Sequence, residues 1–298
     1  MGKIVECVPN FSEGRDMDKI RRILAPFIAT EGCKLLDYSA DKDHNRVVVT
    51  VMGEPSAVKK AVIEAIGIAM AEIDLTKHTG AHPRMGAADV VPFIPIKDMK
   101  MEEAVELSRE VAAETAKRYG LPIYLYEKAA SAPHRENLAN IRKGEFEGLA
   151  EKMQQPEWKP DFGPGTVHPT AGATVIGARM PLVAFNINLG TTDLEIANKI
   201  SKNIRHISGG LRYVKALGVD LREKGMVQVS INMTDYTRTA LYRVFEMVRF
   251  EAQRYGVEIT GSEIVGLTPM EALIDAAVYY MRLDGFKMSQ VIENRLLE

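Results

Sequence analysis

Little in this 298-residue chain marks it as a specialised class of protein. It has only two cysteines, Cys7 and Cys33, each inside an apolar run that reads as a strand. A disulfide framework needs more thiols and an oxidising compartment, so both are expected as reduced, buried groups in a cytoplasmic protein. No apolar run reaches the roughly 18 residues of a membrane span. The longest weakly charged stretch, 163–178, is rich in Gly, Pro and Thr. The opening MGKIVECVPNFSEGR meets Glu6 before any signal-type apolar segment develops, and Glu6 stands where N-myristoylation prefers Ser or Thr. Neither sign of charge dominates. Thirty-eight Lys and Arg against 40 Asp and Glu leave a formal charge of −2, so no basic field points to nucleic acid. With membrane and nucleic acid set aside, the expected partner is a small molecule.

What is present suits a packed soluble core: 46% of residues are hydrophobic and 26% charged. The length predicts one large or two medium domains. Residues 3–9 read as a strand, 9–15 as a polar turn, and 16–30 as a helix with Ile20, Ile23, Leu24 and Phe27 on one face. Strands follow at 33–39 and 46–53, then a helix opened by Pro55 that runs to about residue 75. After a loop, 88–96 reads as a strand that Pro92 and Pro95 mark as an edge or an interruption. A helix at 99–119, a strand at 122–126 and short charged helical segments at 135–143 and 145–153 extend this half. The passage 154–174 is the best candidate for a linker. Beyond it, strands at 182–189, 212–218, 225–233 and 257–262 alternate with helices at 193–207, 237–255 and 269–282. The order βαββαβ thus occurs twice, which predicts an α+β fold of two ferredoxin-like subdomains in a duplicated architecture. The expected division is 1–178 and 179–298, with a glycine-rich linker at 161–174.

Chemistry concentrates in TKHTGAHPRMGAADVV, residues 76–91. Gly80 and Gly86 admit backbone shapes that other residues resist, and Pro83 pushes His82 towards an extended conformation. A histidine alone is more often a hydrogen-bonded structural residue than a catalyst. Here it sits in a constrained loop with Arg84 two residues on, a proton carrier beside a possible anion clamp. His78 and His82 also have the spacing of a zinc-binding helix face. Gly80 and Pro83 oppose a helix, however, and HTGAH lacks the glutamate of HExxH, so no metal is expected.

Three other segments combine loop character with specific polar groups. PNFSEGR follows the first strand, and ADKDHNR offers acids, an imidazole and Arg46 in a hairpin-like turn. FGPGTVHPTAGAT supplies glycines that let backbone amides approach a ligand, with neither a GxGxxG nor a P-loop pattern. By themselves these read as a helix-capping turn, a solvated turn and a flexible linker.

Together, and in this order, they resemble the formiminotransferase family, the folate-dependent glutamate formimidoyltransferases of histidine degradation. The resemblance also rests on IVECVPNFSEGR, HNR, HTGAHPRMGAADVVPFIP, LPIYLYE, GEFEGL, QQPEWKPDFGP, GATVIGAR and AFNINLGT, and covers nearly the whole chain. It implies transfer of a formimidoyl group from N-formimidoyl-L-glutamate to the five-position nitrogen of tetrahydrofolate, with release of glutamate into one-carbon metabolism. It also implies a cytoplasmic homodimer with folate lying in a groove between subdomains. Some relatives carry a cyclodeaminase unit after this one. The chain ends at Glu298, so that second activity is expected to be absent, and the resemblance leaves a separate cyclodeaminase as a candidate partner. The family's catalytic histidine falls on His82. Its folate-contacting segment falls on Gly163, Pro164, Gly165, Thr166, Val167, His168, Pro169, Thr170, Ala171 and Gly172. Arg46 and Arg84 are expected to clamp substrate carboxylates. A glutamate formyltransferase and a non-catalytic folate-binding protein are the competing readings. Tetrahydrofolate enters as co-substrate.

Overall fold

The computed structural model describes residues 2–297, with side chains to residue 294. The chain forms two compact units, 1–179 and 180–298. Each has its own sheet and its own hydrophobic core, an α+β architecture consistent with duplicated subdomains.

In the first unit the helical and strand periods are plain in the sequence. Strands β1 (Ile4–Cys7) and β2 (Asn10–Phe11) lead to helix α1 (Met17–Ala29). Asp16 caps α1, its carboxylate accepting from the N–H groups of Asp18 and Lys19 at 3.0 and 3.1 Å. The helix buries Ile20, Ile23, Leu24 and Phe27, the stripe its spacing predicts. The hairpin β3 (Cys33–Asp41) and β4 (Arg46–Gly53) follows, then α2 (Pro55–Glu72) with Pro55 in its first turn. Alternation along β4 sends Val47, Val49 and Val51 into the core with α1 and α2. Arg46, two residues before Val48 on the same period, therefore lies on the opposite face.

Strand β5 (Ala88–Lys97) corrects the expectation drawn from its prolines. It is an interior strand, paired with β1 and β2 on one side and parallel to β7 (Thr174–Ala178) on the other. Pro95 is absorbed by irregularity, whereas Pro92 stays in the sheet, facing Gly177 of β7 and accepting from Val8 N–H at 3.2 Å. The β1–β5 register shifts where Pro95 faces Val5, and the β7 pairing has already ended at Phe93. Helix α3 (Met101–Tyr119), strand β6 (Ile123–Glu127) and the short helices α4 (Leu138–Arg142) and α5 (Leu149–Lys152) complete this unit. Among the described residues the sheet has seven strands in the order β3-β4-β1/β2-β5-β7-β6.

Strand β7 is absent from the sequence reading, whose linker passage ends at residue 174, where the strand begins. Its five residues, TVIGA, are all buried, and a strand covered on both faces has no polar alternation to reveal it. The passage before it is bonded into the unit rather than strung out as a connector. Ile123 N–H donates to Phe162 O at 2.9 Å, and Asp161 N–H to Ile123 O at 2.9 Å. Buried Arg135 binds the Asp161 carboxylate at 2.8 Å and the carbonyls of Glu157 and Lys159 at 2.7 Å each. PNFSEGR likewise departs from a simple turn: Asn10 and Phe11 pair with both β4 and β5, and Phe11 is fully buried.

The second unit runs β8 (Val183–Leu189), α6 (Leu194–Ile204), β9 (Val214–Leu221), β10 (Met226–Met233), α7 (Leu241–Gln253), β11 (Ile259–Val265), α8 (Met270–Met281) and α9 (Ile292–Leu297). Its antiparallel sheet has the order β11-β8-β10-β9. In both units the first strand of the repeat lies between the third and the fourth, with the second outside the third; β1 and β2 count there as one broken strand.

Glycine is required where β7 is approached. Gly172 adopts φ +69°, and a Cβ there would stand 2.0 Å from Met85 O; a Cβ on Gly86 would stand 2.2 Å from Ala173 O. Gly172→Ala is therefore expected to lower stability by roughly 2 kcal/mol or more. Gly165→Ala, whose Cβ would meet nothing within 4 Å, should stay within about 0.5 kcal/mol of the parent. Urea midpoints compare the two, and equal midpoints would contradict this account of the contact.

Candidate active site

The histidine loop, residues 76–87, is held by backbone contacts from both sides. Helix α2 ends before it, and Asp74 turns the chain by accepting from the N–H and hydroxyl of Thr76 at 3.0 and 2.6 Å. Asn45, at φ +49° in the β3–β4 turn, ties three segments together. Its amide accepts from Gly14 N–H at 2.9 Å and donates to Thr79 O at 3.0 Å. Ala81 N–H donates to Asp43 O at 3.1 Å. Ser12 donates its hydroxyl to Gly86 O at 2.8 Å. On the other flank Ala87 N–H donates to Ala171 O, and Ala173 N–H to Met85 O, at 2.9 and 3.0 Å. All four segments singled out in the sequence thus meet around one loop of the first unit.

His82 is half-buried with Arg46 against it. Nη1 of Arg46 lies 3.4 Å from Nδ1 and 3.3 Å from Nε2 of the imidazole. Near-equal distances to both ring nitrogens put the guanidinium over the ring, since an in-plane approach at that range would collide with ring carbon. Burial, followed by the positive charges of Arg46 and Arg142, pushes the His82 pKa down to about 3, with His44 and His78 adding to the effect. The free protein therefore holds this imidazole neutral, a weaker base than the ordinary histidine the sequence suggests.

The positive charge beside His82 is only partly balanced. Asp89, 1% exposed, pairs with Arg142 and accepts from Met85 N–H at 2.8 Å. Arg46 has no ion pair with a carboxylate among the described residues, and the Nε groups of Arg46 and Arg142 are buried without hydrogen-bond partners. Two largely buried guanidiniums against one carboxylate, with donors left over, form a site that an anion would complete.

Arg84 does something else. Its guanidinium, 8% exposed, binds Glu145 at 3.1 Å and Glu147 at 2.7 and 2.8 Å, and reaches Nδ1 and the carbonyl of His78 at 3.2 and 3.3 Å. With those donors engaged, the carboxylate-clamp expectation meets an arginine that fastens the loop to residues 145–147. His78 is fixed as well: Nε2 donates to Asn45 O at 2.9 Å while Nδ1 accepts from Arg84. Both its ring nitrogens are committed, so it offers no lone pair to a metal. A cleft of about 470 Å³ opens here, lined by His78, Thr79, Gly80, Arg84, Gly144, Glu145 and Glu147. A larger groove of about 630 Å³ between α2 and α3 is lined by charges already paired, Lys59 with Glu110 and Arg118 with Glu64, and contains none of these residues.

The glycine-rich segment divides in two. Gly163, Pro164, Gly165 and Thr166 are exposed, and Gly163 has φ +84°. Val167 packs against the cluster of Met85, Tyr124 and Tyr126. From His168 the chain is anchored: His168 and Gly172 exchange backbone hydrogen bonds at 3.2 and 3.0 Å, and His168 Nδ1 accepts from Ala171 N–H at 3.0 Å. Thr170 O accepts from Leu75 N–H at 2.8 Å, Ala171 is fully buried, and Pro169 is exposed. The exposed tip is therefore followed by residues bonded directly to the end of the histidine loop.

Sequence reasoning missed Arg142 and Asp89. Arg142 sits at the end of a short charged helix with no motif around it. Asp89 carried a usable signal, a lone acid in the apolar run AADVVPF, because a carboxylate on an interior strand needs a buried partner.

Comparison with known proteins bears on this geometry. Residues 4–179 match the family model described as the formiminotransferase domain, N-terminal subdomain, and residues 184–296 match that of the formiminotransferase domain. The chain is 50% identical over 298 residues to a glutamate formimidoyltransferase of Streptococcus pyogenes serotype M1, covering 100% of both chains. It is 47% identical over 295 residues to a glutamate formimidoyltransferase of Thermoplasma acidophilum, covering 98% of this chain and 97% of that one. To a formimidoyltransferase-cyclodeaminase of Dictyostelium discoideum it is 43% identical, the match spanning 99% of this chain and 56% of that protein. With family models covering both units and relatives matched from end to end, the chain belongs to the formiminotransferase family.

Proposed function

We propose that this chain is a glutamate formimidoyltransferase. It moves the formimidoyl group of N-formimidoyl-L-glutamate to the five-position nitrogen of tetrahydrofolate and releases L-glutamate. One observation carries the reading: the imidazole of His82 lies under a guanidinium that lacks a carboxylate partner, in a loop bonded at residues 85–87 to the end of the glycine-rich segment. That combination supplies what the reaction needs, a proton carrier, an anion seat and a segment that can lie against a ligand.

The attacking nitrogen must lose a proton as it bonds to the amidinium carbon, and the departing glutamate nitrogen must gain one. His82 accepts the first proton and delivers it to the second nitrogen. The donor carbon is already cationic, so an oxyanion hole matters less than fixing two substrates in one orientation. A donor carboxylate completes Arg46 and Arg142, with Arg84 shaping the loop around it. That carboxylate also offsets the two charges that hold His82 acidic, so the imidazole becomes a stronger base once the donor is seated. Gly163 to Gly172 is the folate-contacting segment, with tetrahydrofolate as co-substrate.

Both units are read as ferredoxin-like, supported by their shared strand order, and as the N- and C-terminal subdomains of the family. A homodimer, a cytoplasmic location and a separate cyclodeaminase that takes the product rest on the family resemblance alone.

The deciding experiment mixes purified protein, tetrahydrofolate and N-formimidoyl-L-glutamate and follows glutamate release against folate adduct, with the N-formyl donor in parallel. Equal amounts of both products from the formimidoyl donor are expected; turnover of the formyl donor alone, or none, would overturn the proposal. His82→Ala should slow transfer at least about 100-fold while folate affinity is kept, and unchanged turnover would remove His82 from the mechanism. Arg46→Ala should raise the donor KM by about tenfold or more, whereas Arg84→Ala should lower thermal stability and leave that KM unchanged; the reverse pattern would exchange their roles. Protonated His82 cannot act as base, so activity falls with acid. The acid limb of kcat should lie at higher pH than that of kcat/KM, because the seated carboxylate raises the imidazole; coincident limbs would argue against a carboxylate on Arg46.

A further inference from the structure

The β3–β4 turn places a second imidazole beside the first. His44 and His82 have ring centroids 6.4 Å apart at an interplanar angle of 63°. His44 Nδ1 is hydrogen-bonded to Asp41 Oδ2 at 2.8 Å, and no hydrogen-bond partner falls to its Nε2 among the described residues. A carboxylate on Nδ1 fixes that proton in place and leaves the Nε2 lone pair free. The turn carrying this pair is rigid. Asp41 Oδ1 accepts from the N–H groups of Asp43 and His44 at 2.9 and 2.8 Å, and Arg15 Nε donates to Lys42 O at 2.8 Å. The two rings differ in their access to water: the His44 side chain is 47% exposed, whereas His82 lies under Arg46.

The stoichiometry of transfer calls for such a pair. The donor enters as an amidinium and the acceptor as a neutral secondary amine. Transfer forms the new carbon–nitrogen bond, breaks the old one and moves one proton from acceptor nitrogen to leaving nitrogen. The products are an amidinium on the folate and glutamate with a neutral amine. Free glutamate carries an ammonium group at neutral pH, so each turnover takes up one further proton from solvent. We propose that His44, oriented by Asp41, relays this proton from solvent to His82. The ring separation is too long for a direct hydrogen bond and suits one intervening water. His44 Nε2 takes the proton from a buffer acid and passes it to His82, which delivers it to the amine of glutamate. His44 is thus a positioning and relay residue acting through His82, a role that rests on the formimidoyl-transfer reading.

The test is kcat at saturating substrates in dilute and concentrated imidazole buffer, for the parent and for His44→Asn. The variant keeps its backbone N–H on Asp41 and a side-chain amide near the same carboxylate, so the turn is retained. In dilute buffer its kcat should fall at least about tenfold with both KM values unchanged. Concentrated imidazole should restore it, while the parent responds little. Asp41→Asn, which keeps the turn's acceptor oxygen, should share this buffer dependence. A parent that does not transfer the formimidoyl group would sink the underlying reading. An active parent with an unaffected His44→Asn, or a loss that imidazole does not restore, would sink the relay alone.

Discussion

The site depends on a contact that would be costly without a ligand: a guanidinium nitrogen set over an imidazole, with no carboxylate paired to that arginine among the described residues. Burial and two neighbouring arginines keep His82 neutral. A base in that state is poised and weak, and its strength is governed by what settles on Arg46 and Arg142. In the proposed reaction this would tie binding to chemistry, because a donor carboxylate seated on these arginines would offset the charges that hold His82 acidic.

Much of the surrounding structure serves to hold that contact. Strand alternation puts Arg46 on the face away from the core, opposite Val47, Val49 and Val51. Asn45, at the turn just before it, bonds to both Gly14 and Thr79, so the arginine is delivered by a turn with no slack. Arg84 and the carboxylates of Glu145 and Glu147 brace the loop from the other direction. The nearly buried Arg84 is well placed for this, since its fork meets Glu147 in bidentate fashion, which fixes direction as well as distance.

The sequence was informative wherever a period or a loop constraint was strong. The stripe of α1, the alternation of β4 and the chain order of the second unit are all visible in it. The histidine loop and its three companion segments stood out because glycine, proline and polar groups rarely cluster without cause. What could not be read was pairing across long separations. Nothing local marks Arg84 as the partner of Glu147 or Arg142 as the partner of Asp89, yet those two choices decide which arginine is free to meet a ligand. Strand β7 escaped for a related reason: TVIGA has no alternation because both its faces are covered, and its glycine-rich prelude looks like a connector. Pro92 and Pro95 misled in the opposite sense: Pro95 sits at a register shift against β1, and Pro92 lies within the pairing with β7.

The insertion of β7 between β5 and β6 has a consequence for the order of events during synthesis. Residues 85–87 emerge from the ribosome well before their backbone partners at 171–173, with α3 and β6 made in between. Until then the histidine loop has half of its scaffold, and the sheet has an open edge where β7 will lie. A chain that ends between residues 87 and 171 holds the histidine loop without these backbone partners. The loop gains its second flank only when the last strand of the first unit is in place.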